Sequence, residues 1–154
     1  MNNVDILKKI EKKVVWLACW MIHNANHIRE NQDGLKVGGH QASSASIVSI
    51  MTALYFNVLR PEDRVAVKPH ASPVFHAIQY LSGLQTKEKI ENFRGFGGAQ
   101  SYPSRTKDID DVDISTGSVG LGVAMTSFIS LIQDYIARKK FYNNRQLGRM
   151  IALV

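Results

Sequence analysis

The 154-residue sequence predicts an α/β fold, helix-rich and incomplete, in which a parallel sheet is flanked by helices. Three observations carry that expectation. Stretches with apolar residues three and four apart alternate with short apolar runs containing β-branched residues, the order of strands joined by helical crossovers. The last residues, Met150 to Val154 behind the charged Arg149, form an apolar run of the kind found in core strands covered on both faces. Turns rich in Gly, Ser and His stand at the starts of predicted helices.

Each element has its own reason. From Leu7, apolar residues recur at Ile10, Val14, Leu17, Met21, Ala25 and Ile28, the stripe of an amphipathic helix of about seven turns. It stops near Asn31-Gln32-Asp33-Gly34. Gly38-Gly39-His40 then opens a turn into a second helix from about Ser43, with Ile47, Ile50, Met51, Leu54 and Val58 on one face. Pro61-Glu62-Asp63 breaks that helix, and Arg64 to Lys68, with its valines, reads as a strand. Pro69-His70-Ala71-Ser72 is a strand-to-helix turn. A helix follows through Val74, Phe75, Ile78 and Leu81 to Gly83, and Thr86-Lys87-Glu88 starts a short one ending near Phe93. Arg94 to Asp113 is long, polar and aperiodic, the profile of a functional or disordered loop. Ser115 to Gly122 launches another helix, whose buried side is expected to carry Met125, Phe128, Ile129, Ile132 and Ile136. A polar turn at Asn143-Asn144 precedes the terminal strand. The division that results is 1–33, an amino-terminal amphipathic helix, and 34–154, a partial α/β domain.

Composition narrows the function classes. Hydrophobic residues at 45% and charged residues at 21% argue against disorder and coiled coil. A net charge of +6 favours anionic partners only weakly. Lys8, Lys9, Lys12 and Lys13 are interleaved with Asp5 and Glu11 and lack stacking aromatics among them, so they read as a solvated helix face and no nucleic-acid partner is expected. Arg138, Lys139 and Lys140 close a helix where exposed carbonyls favour cations. Cys19, alone in an apolar stripe, is expected to be a buried thiol. Neither a leader-like segment nor a membrane-length apolar run is present, so a cytoplasmic protein without a membrane partner is expected.

Three turns could carry chemistry: Gly38-Gly39-His40-Gln41-Ala42-Ser43, Lys68-Pro69-His70-Ala71-Ser72 and Thr116-Gly117-Ser118-Val119-Gly120. Free amides in the first turn of a helix favour anions; equally, each turn taken singly is satisfied as a cap or a tight turn. His70 is the most informative, because it follows a strand and precedes a helix, where ligands collect in open α/β sheets. As a metal ligand His70 lacks partners, since no second His or Cys stands at zinc-like spacing and His76 is expected to point elsewhere on its helix. His23 and His27 share a helix face without an adjacent Glu and read as ordinary polar residues. The acidic run Asp108, Asp110, Asp111, Asp113 offers no Asp/Asn pair suited to octahedral Mg²⁺, and no metal ligand is assigned.

Taken in order, Gly34 to Ser43, His70-Ala71-Ser72-Pro73, Ser101-Tyr102-Pro103 and Ser115 to Gly122 resemble the transketolase family of thiamine diphosphate enzymes, in particular its homodimeric pyruvate dehydrogenase type. The resemblance runs from about residue 30 to 154. It implies the diphosphate half of a thiamine diphosphate-binding fold, with catalytic roles for His40 and His70. It further implies cofactor contacts from His70, Gly117, Ser118, Val119, Gly120 and Leu121, the last five along the aminopyrimidine, and substrate-side places for Ser43 and Tyr102. The implied reaction cleaves or transfers at the carbonyl carbon of a 2-oxo acid or ketose through a C2 carbanion, for which histidines near neutrality suit proton transfer.

This sequence departs from the family in two places. Ser104-Arg105 stands where the family has a histidine after Tyr102-Pro103. The Gly-Asp opening the Mg²⁺ motif would follow Val154, and the carboxylate that activates the aminopyrimidine belongs to a later domain. Activity of the chain alone is therefore not expected. Its partners are a homodimer mate or a carboxy-terminal half, and the alternative is a non-catalytic truncated homologue or split subunit.

Overall fold

A computed structural model describes residues 2–31, 34–117, 119–141 and 146–154. Gln32-Asp33, Ser118 and the predicted turn at Asn143-Asn144 lie outside the described residues. In chain order the elements are α1 (Asn3–His23), α2 (Gln41–Ser46), α3 (Val48–Ala53), β1 (Arg64–Ala66), α4 (Ser72–Leu81), α5 (Lys87–Glu91), α6 (Leu121–Arg138) and β2 (Met150–Ala152). None of these helices is long and apolar enough to cross a membrane.

The Asn2 side chain accepts from the Val4 amide to start α1, and Asp5 sits in its first turn, where the exposed amides favour a carboxylate. Val14, Ala18 and Met21 face inward as their spacing predicts. Past His23 the helix widens into a π-turn, Asn24–Ile28, closed by the Arg29 amide on the Asn24 carbonyl at 2.8 Å. Cys19 is half-buried rather than buried.

The second predicted helix is two short ones. Ile47 (φ −107°, ψ −1°) interrupts it, and Leu54–Val58 forms another π-turn. Both breaks shift the helical phase, so the face read from continuous spacing is wrong at two positions: Ile50 and Val58 are exposed, while Ser44, Val48, Met51 and Thr52 are buried. At the centre lies α4, every residue of which from Ser72 to Gln79 is buried; α1, α2 and α3 pack around it.

β1 and β2 are parallel, with Arg64, Val65 and Ala66 opposite Met150, Ile151 and Ala152. β1 is shorter than the predicted Arg64–Lys68, because the chain already turns in a 3₁₀ turn at Pro69–Ala71. A clasp sets the register. The Asp63 carboxylate accepts from the Arg149 amide at 2.7 Å and from the Arg149 guanidinium, whose Nη2 also donates to the Val58 carbonyl. Hydrogen bonding from Arg149 holds the Asp63 carboxyl well below the usual carboxylate range. Gly148 passes so close to the Glu62 carbonyl that a Cβ there would overlap it. The sheet has two strands among the described residues, and β2, expected to be covered on both faces, is only half-buried.

α6 overturns the burial expected of it. Its one buried residue is Thr126, while Met125, Phe128 and Ile132 are exposed and Ile129 and Ile136 half-buried. Gly122 explains the contact it does make: a Cβ there would lie 3.4 Å from the Ala66 Cβ, so the helix closes on the strand pair along its glycine side. Its periodicity marks an apolar face correctly, but nothing else among the described residues covers that face.

The long segment 94–117 is pinned by polar groups rather than by helices. His76, which the sequence reading pointed elsewhere, is fully buried; its Nδ1 lies 2.6 Å from Asp110 Oδ2 and its Nε2 2.7 Å from the Gln100 carbonyl. Asp108 accepts from the Gln100 and Ser104 amides, Asp113 from the Val65 amide of β1, and Thr116 Oγ1 donates to the Val67 carbonyl. The acidic run is thus chiefly a set of internal acceptors. Burial by itself would lower the His76 pKa, but the hydrogen bond and charge of Asp110 outweigh it and hold it above its ordinary value.

Two outcomes follow. Phe128→Glu with Leu131→Glu should reduce self-association in sedimentation velocity and leave stability within about 0.5 kcal/mol, as at a surface site; a loss of several kcal/mol would mean the face is covered. Because the folded-state pKa of His76 exceeds its unfolded value of about 6.5, its stabilisation should be complete below that pH and lost as pH rises through the folded-state value. Asp110→Asn should cost about 3–5 kcal/mol and reverse the sign of this dependence, read from thermal midpoints across roughly the histidine range, about pH 5.5 to 8.5.

Candidate functional site

β1 ends facing the amino-terminal ends of α2, α4 and α6, and the turns between them meet there. The rings of His40 and His70, 30 positions apart in the sequence, stack with centroids 5.9 Å apart and an interplanar angle of 27°. The 3₁₀ turn at Pro69–Ala71 presents His70, and the buried Ser44 of α2 donates to the His70 carbonyl at 3.1 Å, joining the segment that carries His40 to the one that carries His70.

His70 stands between recesses. A first cleft of about 380 Å³ runs beneath the start of α6, walled by Val67, Val123 and Leu153, with Lys68, Tyr102 and Gly117 at its edges. Val119 and Gly120 also line it. Gly120 takes φ +81°, a left-handed conformation that glycine adopts without strain, just ahead of the first helical residue, Leu121. Gly117 lies against Tyr102, where a Cβ would be 3.4 Å from the ring. A second cleft of about 450 Å³ is bounded by Gly38, Gly39 and His40 on one side and Arg94, Ser101 and Tyr102 on the other. Ser43 lines a third recess, shared with Lys68 and His70.

Of the residues singled out from sequence, His40, His70, Tyr102, Gly117, Val119 and Gly120 therefore surround two adjoining clefts, and Ser43 sits one recess away. Leu121 starts α6 but does not line these recesses, and Ser118 lies outside the described residues. Lys68, Ser72 and Arg94 are among the lining residues to which sequence reasoning assigned no role. Lys68 and Ser72 were legible as neighbours of His70; Arg94 was not, because it reaches the site only through the folding of the 94–117 segment.

The first two clefts have no Asp or Glu among their lining residues, while Lys68, Arg94 and two imidazoles border them. The arrangement suits an anionic ligand with an apolar body: the walls of the first cleft remove ring surface from water, and cationic side chains border it. The carboxylates gather elsewhere. His76, Asp108 and Asp110 bring ligand atoms within 4.8 Å of one another, as a metal would require, but both imidazole nitrogens and both Asp108 oxygens already hold hydrogen bonds that anchor the loop. His23 and His27 pack 5.0 Å apart beside another shallow recess.

No family model matches the chain. Curated relatives do. It is 30% identical over 146 residues to the pyruvate dehydrogenase E1 component of Mycobacterium tuberculosis, an alignment covering 88% of this chain and 15% of that protein. With the same component of Pseudomonas aeruginosa it shares 30% over 143 residues, 87% of this chain and 16% of the relative. With that of Escherichia coli K12 it shares 28% over 130 residues, 79% of this chain and 14% of the relative. The chain spans about 15% of the length of the curated relatives it matches, and over most of its own length it is similar to one segment of pyruvate dehydrogenase E1 components.

Proposed function

We propose that this chain supplies one wall of a thiamine diphosphate site in an enzyme that cleaves or transfers at the carbonyl carbon of a 2-oxo acid or ketose. The observation that carries the reading is the His40–His70 pair at the junction of the two clefts, beside Lys68 and the start of α6. Similarity to pyruvate dehydrogenase E1 components over 88% of the chain supports the same assignment.

The residues present fit the organic part of the cofactor. Val67, Val123 and Leu153 would cover its rings, and Gly117 leaves space beside Tyr102 that a side chain would fill. Lys68 and His70 would stand by the diphosphate, and the backbone from Val119 into the start of α6 would run along the aminopyrimidine. When bound, thiamine diphosphate supplies an electron sink for breaking a bond next to a carbonyl. The task of this chain's own residues is then positional and protic. His40 and His70 would hold or deliver a proton at the substrate's carbonyl oxygen, since imidazole changes charge near neutrality. Tyr102 would close the edge between the clefts. Magnesium does not fit this lining, which has no Asp or Glu among its described residues, so its ligands are assigned to further polypeptide. The exposed apolar face of α6 favours the form of this reading in which the chain works packed against such polypeptide, as a homodimer mate or a separate segment, over a free-standing enzyme.

Calorimetric titration of the chain with thiamine diphosphate and Mg²⁺ tests the assignment. Saturable binding is expected, weakened about tenfold or more by Lys68→Met, as the loss of a charge-assisted contact of roughly 1.5–3 kcal/mol implies. His70→Ala should weaken it similarly. Binding that is absent, or unchanged in both variants, would remove this site from the chain.

A further inference from the structure

His40 needs support that its own side chain does not provide. Its ring packs on His70, it is exposed, and it follows two glycines, Gly38 (φ +87°) and Gly39 (φ +115°), whose left-handed backbones leave the stem of the turn free to move unless something holds it. The π-turn at the end of α1 supplies the hold. Asn26 lies within that turn, and its side chain meets both polar groups of one peptide residue: Oδ1 accepts from the Gly38 amide at 2.8 Å and Nδ2 donates to the Gly38 carbonyl at 3.0 Å. The same Nδ2 donates back to the Ile22 carbonyl at 2.7 Å, which fixes the carboxamide against its own helix. The widened turn is what separates Asn26 from the regular i→i+4 ladder while Arg29 still closes on Asn24.

Other contacts complete the clamp. Arg94 Nη1 donates to the Val37 carbonyl at 2.9 Å from the opposite wall, so close to Gly38 that a Cβ there would lie 2.8 Å from it. Gln41 Nε2 donates to the Cys19 carbonyl at 3.2 Å on the far side of His40. A Cβ on Gly39 would lie 3.2 Å from Ile22, so the turn is pressed onto α1. Of these side chains only Asn26 satisfies an amide and a carbonyl of the same residue, as a neighbouring strand would, and so sets its orientation as well as its position.

We propose that Asn26 is the positioning residue for His40, reading the Gly38 peptide from both sides so that the imidazole is held over His70. Its relevance to catalysis rests on the functional reading above; the geometry it imposes does not.

The test is a spectroscopic one on the chain itself. Ring signals of His40 and His70, assigned by His40→Gln and His70→Gln, are followed by NMR in Asn26→Ala and in Asn26→Asp, which keeps the acceptor for the Gly38 amide and loses both donations. The expected result is loss of the His40–His70 ring cross-peak and a shift of the His40 signals to those of an unstacked imidazole, with the buried His76 signals and the thermal midpoint little changed. Arg94→Met, which removes the clamp from the other wall, should weaken the cross-peak without erasing it. A retained His40–His70 cross-peak in a folded Asn26 variant would overturn the proposal. If Asn26→Ala does not fold, Asn26→Asp carries the same decision. A wild-type chain that binds no thiamine diphosphate but shows the cross-peak and its loss would overturn the functional reading alone.

Discussion

The buried contact between His76 and Asp110 is what the candidate site depends on. It joins the central helix α4 to a segment of some twenty residues that has no regular structure of its own. Such a segment gains little from local hydrogen bonding and pays its ordering entropy only if its ends and middle are fixed to something rigid. His76 does that twice, through Asp110 on one nitrogen and the Gln100 carbonyl on the other. Asp108, Asp113 and Thr116 extend the attachment along the loop and onto β1. Tyr102 and Gly117 are carried to the clefts between these anchors, so the walls of the site inherit their positions from a buried pair that lines neither cleft.

The opposite wall is built by a different device. Two histidines arrive on turns that belong to different helices, one held through Ser44 to the carbonyl of the other, and the backbone around His40 is gripped by side chains from α1 and the 94–117 segment. Both devices hold irregular backbone by side-chain hydrogen bonds, as a layered fold must where loops rather than strands form the binding surface. The regular part of the sheet is small by comparison: two strands whose register is set by the Asp63–Arg149 clasp.

The apolar face of α6 is the largest departure from the burial that the sequence pattern predicts. Phe128, Leu131, Ile132 and Tyr135 are each more than half exposed, a contiguous pattern on one helix that monomeric proteins seldom display. The relatives are several times longer than the chain.

The sequence alone determined the helices with unbroken periodicity, the position of β1 and β2, and the family likeness carried by the glycine and histidine turns, because those signals are local and repeat at a fixed spacing. It could not place the interrupted second helix correctly, since a break at Ile47 and a π-turn at Leu54–Val58 shift the phase that spacing arguments assume constant. Nor could it distinguish an apolar stripe that is covered from one that is not, as in α6, because periodicity records which residues would be buried and not whether a neighbour is there. The stacking of His40 on His70, the pairing of His76 with Asp110 and the grip of Asn26 on Gly38 were decided by the tertiary structure, because each joins residues separated by 12 to 34 positions through groups whose partners exist only once the chain has folded.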